Sequence, residues 1–329
     1  MQYTKLKGID REVSRIAFGC MSTVGSQTYP GVTDGDAVST MRRAFELGVN
    51  FFDTARAYAD GESERQLGEA IAGFRDEVVI ASKPKAGDLS KAEIISECEK
   101  SLKDLGVERI DLYQIHWPRR QVPLEETARA MDMLVEQGKI GAVGVCNFGP
   151  LDLGEWLESG TCATDQVAYS LISRGADFKL SDKCAEHGIG ILCYSPLAQG
   201  LLAGVYDKAD DVPSGKARTR HFAGTRPEAR HGEAGLEDET FEAIANIRRV
   251  ADRLGEPMGR VSLAWLLHQP AVASVLCGAS KPSQVERNVA AASLTLSEQD
   301  LEELDRGTAA LKDSMGASLD MWQSPARTR

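Results

Sequence analysis

Short apolar runs recur along the chain, and each is followed by a loop and an amphipathic stretch. The runs are rich in Val and Ile and lack a clean alternation of apolar and polar positions, which is typical of parallel strands buried on both faces. This pattern predicts eight strands: Arg15–Phe18, Asn50–Phe52, Val78–Ala81, Ile110–Ile115, Ala142–Val145, Asp165–Ala168, Gly190–Tyr194 and Ser274–Cys277.

Helical periodicity fills the intervals between these runs. Val38, Met41 and Phe45 recur at three-to-four spacing, and Ser90 with Glu93 forms a capping-box pattern. The predicted helices are Asp34–Leu47, Ser90–Leu105, Leu124–Gln137, Phe241–Leu254 and Glu298–Leu311. Strands and helices that alternate in this way favour an α/β fold, a (β/α)₈ TIM barrel, over an open doubly wound sheet.

Two segments depart from the alternation. Tyr3–Leu6 and Glu12–Ser14 flank a Gly-Ile-Asp turn, which predicts an N-terminal β-hairpin plug on the N-terminal mouth of the barrel. Asp207–Glu239 is rich in Gly, Arg and Asp without an apolar period, which predicts a long loop after the seventh strand. Because no Pro/Ser linker divides the chain, residues 1–329 are predicted to form a single barrel domain.

Composition narrows the class of protein. The net charge of −11 argues against nucleic acid or an anionic membrane as the main partner, because both are bound by clustered Lys and Arg. No stretch reads as a signal peptide or a membrane span. The seven cysteines include no CxxC pair, which favours reduced thiols over a disulfide framework or a zinc site. We therefore expect a cytoplasmic protein without a metal.

Ionisable side chains follow three successive predicted strands. Asp53 and Tyr58 follow the second strand, Lys83 the third and His116 the fourth. Active sites of (β/α)₈ barrels lie at the carboxyl ends of the strands, so these groups are expected to converge there. Each alone would more commonly be a helix cap, a structural histidine or a solvated lysine. Together, unlike charges at one barrel mouth would be costly to desolvate without a use.

The four residues suit the reduction of a carbonyl group, which needs a hydride at carbon and a proton at oxygen. The pKa of a free phenol is about 10, which makes Tyr58 a weak proton donor near neutrality. A neighbouring Lys83 ammonium would lower that pKa, and Asp53 would keep the ammonium charged and in place. His116 would hydrogen-bond the carbonyl oxygen.

Several motifs resemble those of the aldo-keto reductases. Asn50-Phe-Phe-Asp-Thr-Ala-Arg-Ala-Tyr58 with Gly61-Glu-Ser-Glu64 is similar to the family signature. So are Ser82-Lys83, the run Arg109–His116 and the stretch Gly144–Phe148, and the motifs occur in the family's order over nearly the whole chain.

The resemblance implies an NADP-dependent oxidoreductase that uses NADPH to reduce a small aldehyde or ketone to the alcohol, as a monomer or homo-oligomer. In that family a catalytic tetrad carries the reaction, with the tyrosine as the proton donor. By resemblance the tetrad is Asp53, Tyr58, Lys83 and His116.

The cofactor site is expected outside a Rossmann motif, since no GxGxxG follows an early strand. Cys277–Asn288 follows the last strand and opens a helix, whose free N–H groups and dipole attract phosphate. The resemblance assigns this stretch to the adenosine 2′-phosphate, and the charge of Lys281 would select NADPH over NADH. The matching positions are Gly278, Ser280, Lys281, Gln284 and Asn288.

The resemblance also implies contacts to the rest of the cofactor. Asn147 and Gln166 would bind the nicotinamide carboxamide near Asp53, and Tyr194 would stack on the nicotinamide ring. The residues assigned to the pyrophosphate side are Ser195, Leu197 and Arg218. The chain departs from the family pattern at three positions, which are Ala59 in place of Gly, Cys146 in place of Ser and Arg287 in place of Glu.

Two other functions remain open at this point. A cofactor-binding regulatory subunit, like the potassium-channel β subunits that share this fold, would retain the same tetrad. A Schiff-base aldolase would use Lys83 as the nucleophile, which a paired Asp53 disfavours by keeping Lys83 protonated. Substrate choice is expected to lie in three segments, with Trp322 closing one side of the pocket. These segments are Met21–Val32, Trp117–Val122 and Met315–Trp322.

Overall fold

A closed barrel of eight parallel strands forms the centre of the computed structural model, which describes residues 1–25, 31–85, 87–324 and 326–329. A short antiparallel hairpin precedes the barrel. The strands are β1 (Tyr3–Thr4), β2 (Val13–Ser14), β3 (Ile16–Gly19), β4 (Phe51–Asp53), β5 (Val79–Ser82), β6 (Ile110–Ile115), β7 (Ile140–Cys146), β8 (Thr164–Ala168), β9 (Gly190–Tyr194) and β10 (Val272–Gly278). Strands β3 to β10 pair in chain order, and β10 closes the barrel by pairing with β3. The predicted TIM barrel is confirmed.

Helices lie between the strands and pack around the barrel. They are α1 (Asp34–Glu46), α2 (Glu62–Ile71), α3 (Lys91–Leu105), α4 (Leu124–Glu136), α5 (Pro150–Leu157), α6 (Leu180–His187), α7 (Glu237–Leu254), α8 (Met258–Leu267), α9 (Pro282–Val289) and α10 (Glu298–Met315). The five helices predicted with bounds correspond to α1, α3, α4, α7 and α10.

Four helices, α2, α5, α6 and α8, were not predicted, and there are physical reasons for this. These helices span only 8 to 10 residues, so an apolar period has few turns in which to repeat. In α8, 8 of the 10 residues are buried, so the helix has no polar face to create an amphipathic pattern.

The start of α3 differs in one detail from the predicted capping box. The Ser90 hydroxyl accepts a hydrogen bond from the Glu93 N–H, as expected. The Glu93 carboxylate, however, accepts from the N–H of Leu89 at 2.6 Å rather than from that of Ser90. Leu89 has a φ of 62°, and this backbone turn redirects its N–H toward the carboxylate. Complete capping boxes occur instead at α1 and α10.

The hairpin closes the amino-terminal mouth of the barrel, where it was predicted. Leu6 is buried and belongs to the apolar cluster inside the barrel. It reaches the first residue of β9, Gly190, where an added Cβ would lie 2.7 Å from the Leu6 side chain and 2.8 Å from the Ala273 Cβ. Gly190 therefore provides the space that Leu6 fills.

The predicted long loop spans the interval between β9 and α7. It is irregular apart from short 3₁₀ turns, and α7 begins at Glu237, four residues before the predicted Phe241. Ion pairs of Arg220 with Glu233 and Arg226 with Glu237 hold the loop together, each at 2.8 Å. In the described part of the chain, none of the helices has the length and apolarity needed to cross a membrane. All seven cysteines are free and buried.

Candidate active site

The four predicted catalytic residues meet at the carboxyl end of the barrel. Asp53 ends β4, Lys83 directly follows β5, His116 directly follows β6, and Tyr58 begins a 3₁₀ turn after β4. The Lys83 Nζ lies 5.4 Å from the centroid of the Tyr58 ring. The Tyr58 and His116 rings are 6.0 Å apart and meet edge to face.

Asp53 and Lys83 form a buried ion pair at the base of this group. The Lys83 Nζ lies 2.8 Å from each Asp53 carboxylate oxygen, and it also donates to the Thr54 carbonyl at 2.8 Å. The Lys83 side chain is fully buried. Burial alone would lower the pKa of the Lys83 ammonium, but the charge and hydrogen bonds of Asp53 outweigh burial and raise it above its ordinary value. Lys83 is therefore a fixed cation.

Tyr58 lies above this pair and is half-buried. Burial raises the pKa of Tyr58 to about 12, while the charge of Lys83 acts in the opposite direction. The expected lowering by Lys83 is present, but in this site it does not exceed the effect of burial. A phenol of this pKa remains protonated at neutral pH, which a proton donor requires. An alkoxide is a stronger base than a phenolate and would still take this proton.

His116 faces Tyr58 and is half-buried. Burial lowers the pKa of His116 to about 3, together with the positive charges of Lys83, Arg119 and Arg327. The imidazole is consequently neutral at physiological pH. A neutral imidazole donates one hydrogen bond, and this suits it to polarise a carbonyl oxygen without competing as an acid.

Gln114 belongs to the same group and was not predicted. Its Nε2 donates to Asp53 at 3.1 Å, and Gln166 donates to the same carboxylate oxygen at 2.7 Å. Side chains alternate across a strand, so Leu112 and Gln114 share one face of β6, and His116, directly after the strand, continues the same spacing. Because Gln114 lies two positions before His116, the alternation of side chains could have identified it from the sequence.

The residues assigned to the nicotinamide lie beside the tetrad and contact one another. The Asn147 side chain donates to the His116 carbonyl at 3.1 Å and accepts from the Tyr194 hydroxyl at 2.9 Å. The Asn147 N–H donates to the Gln166 carbonyl at 2.9 Å. Asn147 has a φ of 61°, which turns its side chain away from the continuing strand direction. The fold thus brings Asn147, Gln166 and Tyr194 together at the mouth.

The residues assigned to the pyrophosphate follow β9. Ser195 has a φ of 50°, and its carbonyl accepts from the Ala198 N–H at 2.8 Å. Leu197 is partly buried against the core. The Arg218 guanidinium lies 5.2 Å from the centroid of the Trp322 ring. In the described ranges, no hydrogen bond or ion pair joins Arg218 to the Gly278–Asn288 stretch.

The residues assigned to the 2′-phosphate form a separate group at the end of β10 and the start of α9. The Gln284 side-chain oxygen accepts from the Ser280 N–H at 2.7 Å and from its hydroxyl at 3.1 Å. Asn288 donates to the Gly278 carbonyl at 3.4 Å. Lys281 is the exposed N-cap residue of α9. An exposed cation, a hydroxyl and a helix amino terminus fit a phosphate group.

Comparison with known proteins identifies the family to which the chain belongs. The model of the Aldo/keto reductase family matches residues 15–308. The chain belongs to the aldo/keto reductase family. It is 31% identical over 316 residues to the aldo-keto reductase YhdN of Bacillus subtilis, with 93% of each chain covered. It is 31% identical over 327 residues to the NADH-specific methylglyoxal reductase of Escherichia coli, covering 91% of this chain and 96% of that relative.

A solved structure supports the same assignment. An aldo/keto reductase from Klebsiella pneumoniae, in complex with NADP and acetate, matches this fold with a TM-score of 0.73 and 31% identity. The match covers 94% of this chain and 96% of that chain. The likeness therefore extends over both the barrel and the long loops.

The three departures from the aldo/keto reductase pattern lie in different surroundings. Ala59 has a φ of 48°, a left-handed conformation that costs a residue other than glycine about 1–2 kcal/mol. This explains why glycine is usual there. Cys146 is buried at the end of β7, and burial raises the pKa of its thiol well above the ordinary value. Arg287 is exposed in the last turn of α9.

The carboxyl-terminal segment of this aldo/keto reductase docks at the rim of the site. The Trp322 Nε1 lies 3.5 Å from the Tyr194 hydroxyl. The Arg327 guanidinium stacks 3.6 Å from the centroid of the Trp117 ring, next to His116. Trp322, at the end of the predicted segment Met315–Trp322, thus reaches Tyr194, whereas Trp117 of the segment Trp117–Val122 is contacted by Arg327, which lies beyond the predicted bounds. The third segment expected to govern substrate choice, Met21–Val32, lies partly outside the described residues, at positions 26–30.

Proposed function

We propose that this chain uses NADPH to reduce an aldehyde or ketone to the alcohol. The observation that carries the proposal is a buried Lys83–Asp53 ion pair beneath the half-exposed Tyr58 and His116. This arrangement supplies a protonated phenol, a fixed cation behind it and a neutral imidazole beside it. These are the groups that a carbonyl oxygen needs as it gains negative charge.

Bound NADPH would supply the hydride to the carbonyl carbon. The neutral His116 donates a hydrogen bond to the carbonyl oxygen and orients it toward Tyr58. As the oxygen becomes an alkoxide, the Tyr58 hydroxyl transfers its proton to it. The Lys83 ammonium stabilises the phenolate that remains, and Asp53 prevents Lys83 from giving up its own proton.

The proposed cofactor site consists of two groups of residues. Asn147, Gln166 and Tyr194 lie beside the tetrad and would hold the nicotinamide. Lys281 and the start of α9 lie after the last barrel strand and would hold the 2′-phosphate. The Klebsiella pneumoniae protein is in complex with NADP, whereas the Escherichia coli relative is NADH-specific. We assign the preference of this chain to NADPH because of the exposed charge of Lys281.

The geometry opposes the aldolase alternative. A Schiff base requires a neutral amine, but Lys83 lies 2.8 Å from both oxygens of Asp53 and its pKa is raised. Borohydride added with a carbonyl compound should therefore leave the chain unmodified.

A steady-state assay tests the proposal. The purified chain is mixed with NADPH and a panel of short aldehydes, sugars, keto sugars and aromatic carbonyl compounds, and the loss of NADPH is followed. We expect carbonyl-dependent oxidation, slower with NADH than with NADPH. Tight NADPH binding with no turnover of any carbonyl, together with capture of a stable partner, would instead indicate a regulatory subunit.

A further inference from the structure

An arginine on the loop after β6 has no partner among the residues that the structure describes. Arg119 follows His116 by three residues on the loop after β6, and it is half-buried. Within residues 1–25, 31–85, 87–324 and 326–329, the Arg119 guanidinium makes no hydrogen bond and no ion pair. It lies close enough to His116 for its charge to act on that ring.

Arg119 lacks a partner in the described ranges although acidic residues exceed basic ones by 11 in this chain. The next residue, Arg120, contacts both Asp152 and Glu155. An acidic chain that leaves a half-buried guanidinium unpaired beside its active site keeps that group available for an external anion. The planar guanidinium fork matches a carboxylate or a phosphate.

The other cations near His116 are neutralised. Lys83 is paired with Asp53. Arg327 donates to both oxygens of Asp320, a fully buried side chain, at 2.6 and 2.9 Å. Arg119 therefore provides the uncompensated positive charge among the three that act on His116.

The topology separates Arg119 from the proposed site of the cofactor's 2′-phosphate. The barrel order is β10-β3-β4-β5-β6-β7-β8-β9, so β6 and β10 are four places apart in a ring of eight. The loop after β6 and the phosphate-binding start of α9 thus lie on opposite sides of the mouth. Tyr58 and His116 lie between them, on the arc from β4 to β6.

We propose that the preferred carbonyl substrate carries an anionic group, a carboxylate or a phosphate, and that Arg119 binds this group. For a carbonyl held between Tyr58 and His116, the loop after β6 is the side of the mouth away from the proposed 2′-phosphate site, where an anionic substituent would have room. Arg119 then acts as a specificity-determining residue that contacts the substrate but takes no part in proton transfer. This inference rests on the proposed carbonyl reduction.

Matched pairs of substrates test the proposal. Succinic semialdehyde is compared with butanal, and glycolaldehyde phosphate with glycolaldehyde, so that each anion has a neutral counterpart. We expect the native chain to favour at least one anion of the two pairs, and the favoured pair distinguishes carboxylate from phosphate. Arg119→Gln should raise the KM for that anion about 10- to 100-fold, with kcat and the neutral counterpart nearly unchanged.

Two variants serve as controls. Arg129→Gln makes the same change of charge on α4, where the Arg129 side chain is 75% exposed, and it should alter each KM by less than about twofold. Arg119→Lys keeps the charge but loses the fork, and it should recover part of the preference. Equal losses for anionic and neutral substrates in Arg119→Gln, or no preference in the native chain, would overturn the inference while leaving carbonyl reduction intact.

A binding measurement decides the inference separately from turnover. The chain is mixed with NADPH and titrated with succinate or with its neutral analogue succinamide, while tryptophan fluorescence is followed. Quenching by succinate alone, lost in Arg119→Gln, would support the anion site even if no carbonyl were reduced. The absence of any difference between the two ligands would contradict it.

Discussion

The protonation states in the site follow from what each ionisable group touches. Lys83 is buried against a carboxylate and remains charged, whereas burial and the charges of Lys83, Arg119 and Arg327 keep His116 neutral. Burial and the charges of neighbouring side chains together set both states. The same contacts make the stability of the protein depend on pH.

We predict that His116 makes the fold sensitive to acid. The pKa of His116 is about 3 in the folded chain, whereas its ordinary value is 6.5. Between these two pH values His116 is protonated in the unfolded chain but not in the folded chain. Stability therefore falls as the pH drops through this window. His116→Gln should show a smaller fall in Tm between pH 7 and pH 5. An equal fall in the two proteins would contradict a neutral His116.

We predict that Lys281 discriminates between the two nicotinamide cofactors. Lys281→Ala should weaken NADPH binding by about one to two decades and leave NADH binding almost unchanged, because a charge-assisted contact to the 2′-phosphate is worth roughly 1.5–3 kcal/mol. Fluorescence titration with each cofactor measures this difference. Equal losses for both cofactors would mean that Lys281 only supports the start of α9.

At the scale of elements, the sequence predicts strands better than short helices. The bounds of β6 and β9 were predicted to the residue, since buried parallel strands are short runs rich in apolar residues. The convergence of Asp53, Lys83 and His116 could be predicted for the same reason, because each stands at the end of a barrel strand or directly after it. Contacts that depend on loops, such as Arg327 on Trp117, could not, because no periodic pattern fixes a loop conformation.

At the scale of elements, we predict that the carboxyl-terminal segment influences substrate choice. If Trp322 forms one wall of the pocket, Trp322→Ala should raise the KM for a bulky aromatic aldehyde more than for a small one. The contact of its Nε1 with Tyr194 places the indole at the rim. Leu319→Ala is the matched control, since Leu319 is buried in the core cluster.

The two variants should separate the two roles of the segment. Leu319→Ala should lower stability by about 2–5 kcal/mol without changing the ratio of kcat/KM between the two aldehydes. Removal of the whole segment after Gly316 would combine both effects. A ratio unchanged in Trp322→Ala would show that the segment only packs against the barrel.

At the scale of the whole molecule, the barrel separates stability from chemistry. The hairpin and the tetrad lie at opposite mouths, and the apolar cluster inside the barrel lies between them. Substitutions at the amino-terminal mouth should therefore change stability and leave the reaction untouched.

We predict this separation for Leu6. Leu6→Ala leaves a cavity beside Gly190 and should lower the free energy of unfolding by about 2–5 kcal/mol. The kcat of the folded enzyme should remain at the native value. Lys5→Ala changes the neighbouring exposed residue and should alter neither quantity. A large loss of kcat in folded Leu6→Ala would contradict the separation.

The central claim is that Tyr58 gives the proton to the substrate, and Tyr58→Phe tests it most directly. The variant keeps the ring that packs against His116 and removes only the hydroxyl. We predict a fall in carbonyl-dependent NADPH oxidation of at least about 100-fold, with the Kd for NADPH nearly unchanged. Tyr3→Phe, an exposed tyrosine of the hairpin, is the control and should retain full activity. Native activity in Tyr58→Phe would contradict the account.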